Sequence, residues 1–331
     1  MYSKRSLLLL VLLISSCVGN RDSSKIHLAF VTNGVTSFWQ IAKAGVDHAA
    51  RDFDIRATVQ MPVEGISDQK RIVQDLLTLG VDGIAISPID PSNQIDLINN
   101  TARKTILITQ DSDAPGTDRL CYIGMDNYLA GRLCGQLVKE AVPLGGEIAI
   151  LVGRLEQDNA RQRRQGVIDE LLGRSMLAQR YDAPGTRLEG NKYTVVATLT
   201  DQYDRVKAKA NAEDVLSRFP DLDAIVGLFA YNGPLSLEAL KQADQVGKIQ
   251  IIAFDEAIQT LQAIKEGAIF GTVVQDPYRY GYESIRVLAS LVRGDRSVLP
   301  PQGFLNIPAR QIRQDNIENF WLELKTKLNN K

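Results

Sequence analysis

From residue 26 onward the hydrophobic period of this chain switches repeatedly between short apolar runs and amphipathic stretches, and that alternation leaves few folds open to it. Apolar runs fall at residues 26–31, 55–59, 83–87, 105–109 and 120–124. Between them, helical spacing is set by Ile41, Ala42, Gly45, Val46 and Ala49, then by Ile72, Val73, Leu76 and Leu77, and then across 95–102. A second series follows Asp126, with runs at 147–152, 193–198, 224–227, 249–254 and 269–274 and helical patterns at 160–172, 206–216, 235–243 and 261–264. Strands that are apolar on both faces belong to parallel sheets covered by helices. The expected fold class is therefore α/β, with two similar doubly wound parallel-sheet lobes. About three hundred residues also exceed what a single core commonly supports, which again points to two lobes.

The N-terminus carries a different signal. Lys4 and Arg5 precede an apolar run at 7–14 that ends in Ser15, Ser16 and Cys17. That run is too short for a permanent membrane span, and small residues before a cleavage point mark an export signal. Ile14, Ser15, Ser16 and Cys17 together resemble the bacterial lipobox, which implies a diacylglyceryl thioether on Cys17; an ordinary cleaved signal with a chance cysteine is the alternative. Residues 18–25 read as a polar tether. The expected location is the periplasm or the exterior of the cell envelope, with membrane attachment through the lipid alone. Lys and Arg number 38 against 39 Asp and Glu, and no basic stripe is visible, so nucleic acid is not expected as a partner. Cys121 and Cys134 sit among apolar neighbours and read as two buried thiols. No zinc spacing occurs, and neither a metal nor a cofactor is implied.

In open α/β sheets ligands bind beyond the carboxyl ends of the strands. The side chains just after each run are Thr32-Asn33-Gly34, Ser87-Pro88, Gln110-Asp111-Ser112-Asp113, Asn159-Ala160-Arg161, Tyr203-Asp204, Ala230-Tyr231-Asn232, Asp255 and Gln275. Planar Asp, Asn, Gln and Arg groups form paired hydrogen bonds with hydroxyls, and aromatic rings such as Phe38, Trp39, Tyr203, Tyr231 and Phe254 cover the C–H faces of a sugar.

These residues also carry a family resemblance. The opening IHLAFVTNGVTSFWQIAKAGV, with GIAISPID, ILITQDSDAP, IGMDNYLAG, NARQRRQG, FAYNGP, IIAFDEA and GTVVQDP in that order, resembles the ribose- and galactose-type periplasmic sugar-binding proteins, the type I solute-binding proteins of ABC transporters. It spans residue 26 to about 312. The resemblance implies two lobes joined by a three-segment hinge with crossings at Met125-Asp126, Gln275-Asp276 and Pro300-Pro301. The lobes would be 26–125 plus 276–300 and 126–275 plus 301–312, with a C-terminal helix over 313–331. It implies ligand contacts from Thr32, Phe38, Trp39, Asp111, Arg161, Tyr203, Asn232, Asp255 and Gln275, with Trp39 and Tyr203 flanking the sugar ring. Asp113 is a second candidate acceptor, and it reads equally as a turn residue before Pro115. Ser112-Asp113 replaces the arginine that ribose binders carry after the aspartate, and Val35 and Thr36 replace asparagines, which counts against ribose itself.

The implied function is monosaccharide capture by a monomeric protein for an ABC permease and ATPase, without catalysis. A glycoside-acting enzyme is the rival of another class, using Asp111, Asp113 and Asp255. Against it, the chain holds two histidines, His27 and His48, both on structural patterns, and no nucleophile elbow or phosphate loop. A sugar-responsive transcription regulator would need a DNA-reading module where the export signal lies. A receptor presenting ligand to a chemoreceptor or sensor kinase would share every feature of the binding reading.

Overall fold

The computed structural model describes residues 25–177 and 180–329; the signal segment, Cys17 and most of the tether lie outside them. The first lobe opens with β1 (His27–Val31), α1 (Ser37–Asp52), β2 (Arg56–Gln60), α2 (Ile66–Leu79), β3 (Gly83–Ile86), α3 (Ile95–Ala102), β4 (Ile106–Gln110) and β5 (Tyr122–Gly124). The chain then enters the second lobe through α4 (Asn127–Ala141), β6 (Gly146–Val152), α5 (Asp158–Leu171), β7 (Leu188–Glu189), β8 (Tyr193–Thr200), α6 (Arg205–Arg218), β9 (Leu222–Gly227), α7 (Asn232–Gln242), β10 (Gln250–Phe254), α8 (Ile258–Lys265) and β11 (Gly271–Val274). It returns to the first lobe with α9 (Pro277–Val292) and β12 (Phe304–Asn306), and ends in the second with β13 (Arg310–Arg313) and α10 (Ile317–Asn329).

The first sheet has the order β12-β5-β4-β3-β1-β2 and the second β13-β11-β10-β9-β6-β8-β7. Within each, the five central strands follow one doubly wound pattern, β2-β1-β3-β4-β5 matched by β8-β6-β9-β10-β11. This is the arrangement in which a crevice opens where the strand order reverses, between β1 and β3 and between β6 and β9. The central ladders are parallel, and only the outer strands β7 and β13 of the second sheet run antiparallel. Leu28, Phe30, Ile84, Ile108 and Ile123 in the first sheet and Ile148, Ile150, Val226, Ile252 and Val273 in the second are fully buried, as strands covered on both faces require.

The chain leaves the first sheet after β5, with Asp126 capping α4 through Leu129 N–H, and leaves the second after β11, with Asp276 capping α9 through Arg279 N–H. The third crossing differs from the sequence expectation at Pro300-Pro301. Residues 301–306 stay in the first lobe, because β12 pairs in parallel with β5 and Phe304 stacks on Tyr122 at 5.2 Å. The chain changes lobe at 307–309, immediately after Ile307 N–H donates to Gly124 C=O at 2.7 Å. The two prolines mark a turn within the first lobe and not a hinge. Cys121 and Cys134 are buried free thiols in different lobes, and burial pushes the Cys121 thiol up to about 11.

Helix α10 lies across the boundary. Ile317 and Phe320 are buried in the second-lobe core, with Trp321 and Leu324 packed beside them. Its other side reaches the hinge, where Lys327 pairs with Asp276 at 3.2 Å and sits over the Tyr278 ring at 5.3 Å. Burial of its aromatic face makes the helix part of the fold: Phe320→Ala should cost about 3 kcal/mol of stability. Urea unfolding checks this, and an unchanged midpoint would show that α10 contributes no packing.

Candidate functional site

The equivalent strands β4 and β10 each end in an aspartate that departs from extended geometry. Asp111 follows β4 with φ 58°, and Asp255 follows β10 with φ 64°. A left-handed conformation is uncommon outside glycine, and Asp tolerates it better than most residues. Each is fixed by a backbone bond to the next strand, Asp111 N–H to Ile123 C=O and Asp255 N–H to Val273 C=O. The sharp turn ends the strand and lifts both carboxylates into the space between the sheets.

Around Asp111, Ser87 Oγ donates to its Oδ2 at 3.0 Å and Asn33 Nδ2 at 3.4 Å. Asn33 is itself oriented by the Trp39 indole N–H, which donates to its Oδ1 at 3.1 Å. Around Asp255, Gln275 Nε2 donates to Oδ1 at 2.8 Å, and the Gln275 Oε1 accepts from Tyr280 OH at 3.2 Å. Burial raises the Asp111 carboxyl to about 6, opposed by the Arg163 charge and the Ser87 hydrogen bond and reinforced by Asp255. Burial likewise raises Asp255, against the pull of Arg163 and Gln275.

The charge facing both aspartates is Arg163, which is 3% exposed. Its Nε donates to Asn127 Oδ1 at 2.9 Å and its Nη1 to Leu228 C=O at 3.3 Å, while the guanidinium lies over the Phe254 ring at 4.2 Å and the Phe229 ring at 5.6 Å. Among the described residues no carboxylate comes within ion-pair distance of it. Two helices hold it there through glycine contacts that allow no side chain: a Cβ on Gly131 of α4 would stand 2.0 Å from Arg163 C=O, and one on Gly166 of α5 would stand 2.1 Å from Tyr128 C=O. Backbone meets backbone, so the α5 segment that carries Arg163 is fixed against α4, and the side chain is held by Asn127, the Leu228 carbonyl and the Phe254 ring.

The candidate residues separate accordingly. Asp111, Asp255 and Gln275 converge on one cleft. Tyr203 stands at its rim, 36% exposed, with its ring edge on Phe229 at 5.4 Å and its hydroxyl on Gln157. Gln157 in turn donates to Ile89 C=O of the first lobe at 3.3 Å, so this rim links the lobes. Phe38 is half-buried against Trp39 and Tyr280.

Five positions are placed otherwise than the sequence reading expects. Arg161 is exposed at the start of α5 and pairs with Asp158 one turn earlier on the same helix; Arg163, two residues on, holds the place expected of it. Asp113 is spent on Arg119, whose Nη2 lies 2.6 Å away, and on Thr109 Oγ1 at 2.6 Å, so it is a structural carboxylate. Thr32 is fully buried with its hydroxyl donating to Gly34 C=O. Asn232 is buried with its Nδ2 on Asp201 and its Oδ1 accepting from Phe229 N–H. Trp39, 2% exposed, belongs to the first-lobe core, where it packs against Phe30 instead of flanking a ring. The sequence reading does not single out Arg163, and it places Asn33 after the first strand without giving it a contact. Arg163 could have been found from the period of α5: it shares a face with Ala160, Val167 and Leu171, and a charge on a buried stripe needs a reason.

Two doubly wound lobes, three crossings and a polar cleft at the facing strand ends define a two-lobed binding protein. The family model described as a periplasmic binding protein domain matches residues 28–296, and this chain belongs to that family. The ribose import binding protein of Salmonella typhimurium is 24% identical over 86% of this chain and 90% of its own length. A solute-binding protein from Burkholderia graminis, solved in complex with D-arabinose, is 26% identical with a TM-score of 0.79, covering 90% of this chain and 98% of that one. A glucose-galactose binding protein from Geobacillus stearothermophilus is also 26% identical, with a TM-score of 0.77 over 88% of this chain and 98% of that one.

The raised Asp111 carboxyl makes unliganded stability depend on pH. Its folded value, about 6, lies above the ordinary 3.8, so the folded state holds the proton more tightly than the unfolded chain does. Folding then penalises the ionised form: stability falls as pH rises from about 4 to 6, and the penalty persists above that. Asp111→Asn should stabilise the unliganded protein by on the order of 2 kcal/mol at pH 8 and by almost nothing at pH 4. Paired urea titrations at the two pH values measure the difference, and equal effects at both would mean that Asp111 carries no such shift.

Proposed function

We propose that this chain is the extracytoplasmic substrate-binding component of a carbohydrate ABC transporter, enclosing one neutral sugar ring between its lobes and releasing it chemically unchanged. The observation that carries the reading is a buried Arg163 guanidinium held without an ion pair between two aspartates that end equivalent strands. Sugar hydroxyls both accept and donate, so they accept from the guanidinium N–H groups and donate to Asp111 and Asp255. An anionic ligand would meet two carboxylates against one cation, and a cationic one would face Arg163. The half-buried Phe38 and the rim ring of Tyr203 offer apolar faces to ring carbons. Names of relatives support the class, since ribose, arabinose, glucose and galactose are what those proteins are said to bind.

Closure follows from where the groups stand. Asn33, Ser87 and Asp111 belong to one lobe and Arg163, Asp255 and Gln275 to the other or its boundary, so a ligand touching both sets favours the closed arrangement by its differential contacts. That shape change is what a permease would read. A thermal-shift screen over pentoses, hexoses, deoxysugars and polyols identifies the ligand, because binding to the folded state alone raises the melting temperature. Arg163→Ala should weaken the ligand found by roughly a hundredfold or more, while Arg161→Ala, exposed and paired with Asp158, leaves the affinity for a monosaccharide unchanged. Affinity that survives Arg163→Ala would remove this site.

The N-terminal pattern supports export and lipid anchoring at Cys17 in the periplasm or on the outer face of the envelope. No helix among the described residues is long and apolar enough to cross a membrane. Cys17→Ser should therefore move the protein from the membrane fraction to the soluble one, and retention in the membrane fraction would rule out the lipid as its anchor.

A further inference from the structure

Beside Asp111 a chamber of about 620 Å³ opens between the lobes. Its volume lies well within the range, roughly 300–1,000 Å³, of pockets that enclose ligands larger than a single sugar ring. The first lobe supplies one wall, where Tyr122 and Phe304 stack at 5.2 Å with their planes only 12° apart. The second lobe supplies the other, where Tyr181 and Leu177 line the chamber and remain 50% and 57% exposed. Tyr122 itself is buried against Phe304, so the apolar surface that the described residues leave open is the partly exposed Phe304 on one wall and Leu177 and Tyr181 on the other, which suits an occupant with C–H faces.

Electrostatics narrow the occupant further. The wall arginines and Asp113 are already matched within the protein: Asp113 with Arg119, Arg161 with Asp158 and Arg180 with Asp169. Asp126 caps α4. Asp111 and Asp126 carry no ion pair among the described residues; an anionic ligand would find no free cation among the described wall residues, whereas a neutral polyhydroxyl group can donate to both carboxylates. The chamber adjoins the central site, since Asp111 and Asn127, the acceptor of the Arg163 Nε–H, both line it, and the Asp111 backbone carbonyl accepts from Tyr122 OH at 2.8 Å.

We propose that the chamber is a second sugar subsite, so that the preferred ligand is a neutral disaccharide with one ring at Asp111, Arg163 and Asp255 and its linked ring between Tyr122–Phe304 and Tyr181. This inference rests on the reading that the central cleft binds a sugar.

Isothermal titration of the full mature chain with D-glucose, D-galactose, D-xylose, D-arabinose and D-ribose, and with cellobiose, maltose, lactose, melibiose, xylobiose and arabinobiose, tests it. At least one disaccharide should bind tenfold or more tightly than its constituent monosaccharides. Tyr181→Ala, whose folding is checked by circular dichroism because the ring faces the buried Arg164 guanidinium at 5.8 Å, should erase that tenfold advantage and leave monosaccharide affinity unchanged; Phe304→Leu should reduce it likewise. Monosaccharides binding as tightly as every disaccharide would overturn the second subsite and leave the central site standing. An equal loss of both ligand classes in Tyr181→Ala would also overturn it, because the ring would then belong to the central site. Binding of neither class to the unaltered protein would overturn this proposal together with the sugar reading beneath it.

Discussion

A guanidinium taken out of water without a counter-ion is the constraint around which this cleft is organised. Burying Arg163 is costly unless its N–H groups and charge find compensation, and here the compensation is deliberately partial. Asn127 and the Leu228 carbonyl satisfy some of its donors, and Phe254 and Phe229 place their negative ring faces against the cation. Asp111 and Asp255 stand farther off, close enough for the Arg163 charge to oppose the effect of burial on both and too far to form the pair. The unmet hydrogen-bonding capacity is what a hydroxyl-bearing guest completes. Because helix contacts through Gly131 and Gly166 fix the segment that carries the arginine in advance, little ordering remains to be done at binding.

The same construction is used twice. Both lobes share one strand order, and the equivalent strands β4 and β10 each end on an aspartate in left-handed geometry. Each lobe also brings two helices together through glycines: Gly131 and Gly166 in the second lobe, Gly45 and Gly281 in the first, where an added Cβ would stand 1.9 Å from Tyr278 C=O and 2.1 Å from Ala42 C=O. The pairs differ in what they serve. In the second lobe the close approach carries Arg163, whereas in the first it joins α1 to α9, the helix that follows the second crossing. Helix α10 adds an asymmetry, bridging the second-lobe core to Asp276 at that crossing.

Much of the fold was legible because strands apolar on both faces alternate with amphipathic helices, and local periodicity suffices to recognise both. The edges were not. β7, β12 and β13 have two to four residues each and exist through their partners. The family resemblance put the third crossing at Pro300 and Pro301, yet the Tyr122–Phe304 stack and the β5 ladder keep the next residues in the first lobe. At the site, Asp111, Asp255 and Gln275 could be found by their position after a strand. Arg161 and Arg163 could not be told apart that way, since both lie on the first turns of one helix and only the face they take distinguishes them. Asp113 and Asn232 had the right chemistry in the right neighbourhood, but Arg119 and Asp201 claim it.

By itself, then, the sequence determined the succession of elements, the doubling of one architecture and the strand ends where a ligand would be met, because these depend on hydrophobic period and on residues adjacent in the chain. Tertiary structure decided which polar groups remain free for a ligand, where the third crossing falls and that a chamber opens beside Asp111. Those outcomes depend on partners far apart in sequence, and a side chain's availability is fixed only when every competing donor and acceptor has taken its place.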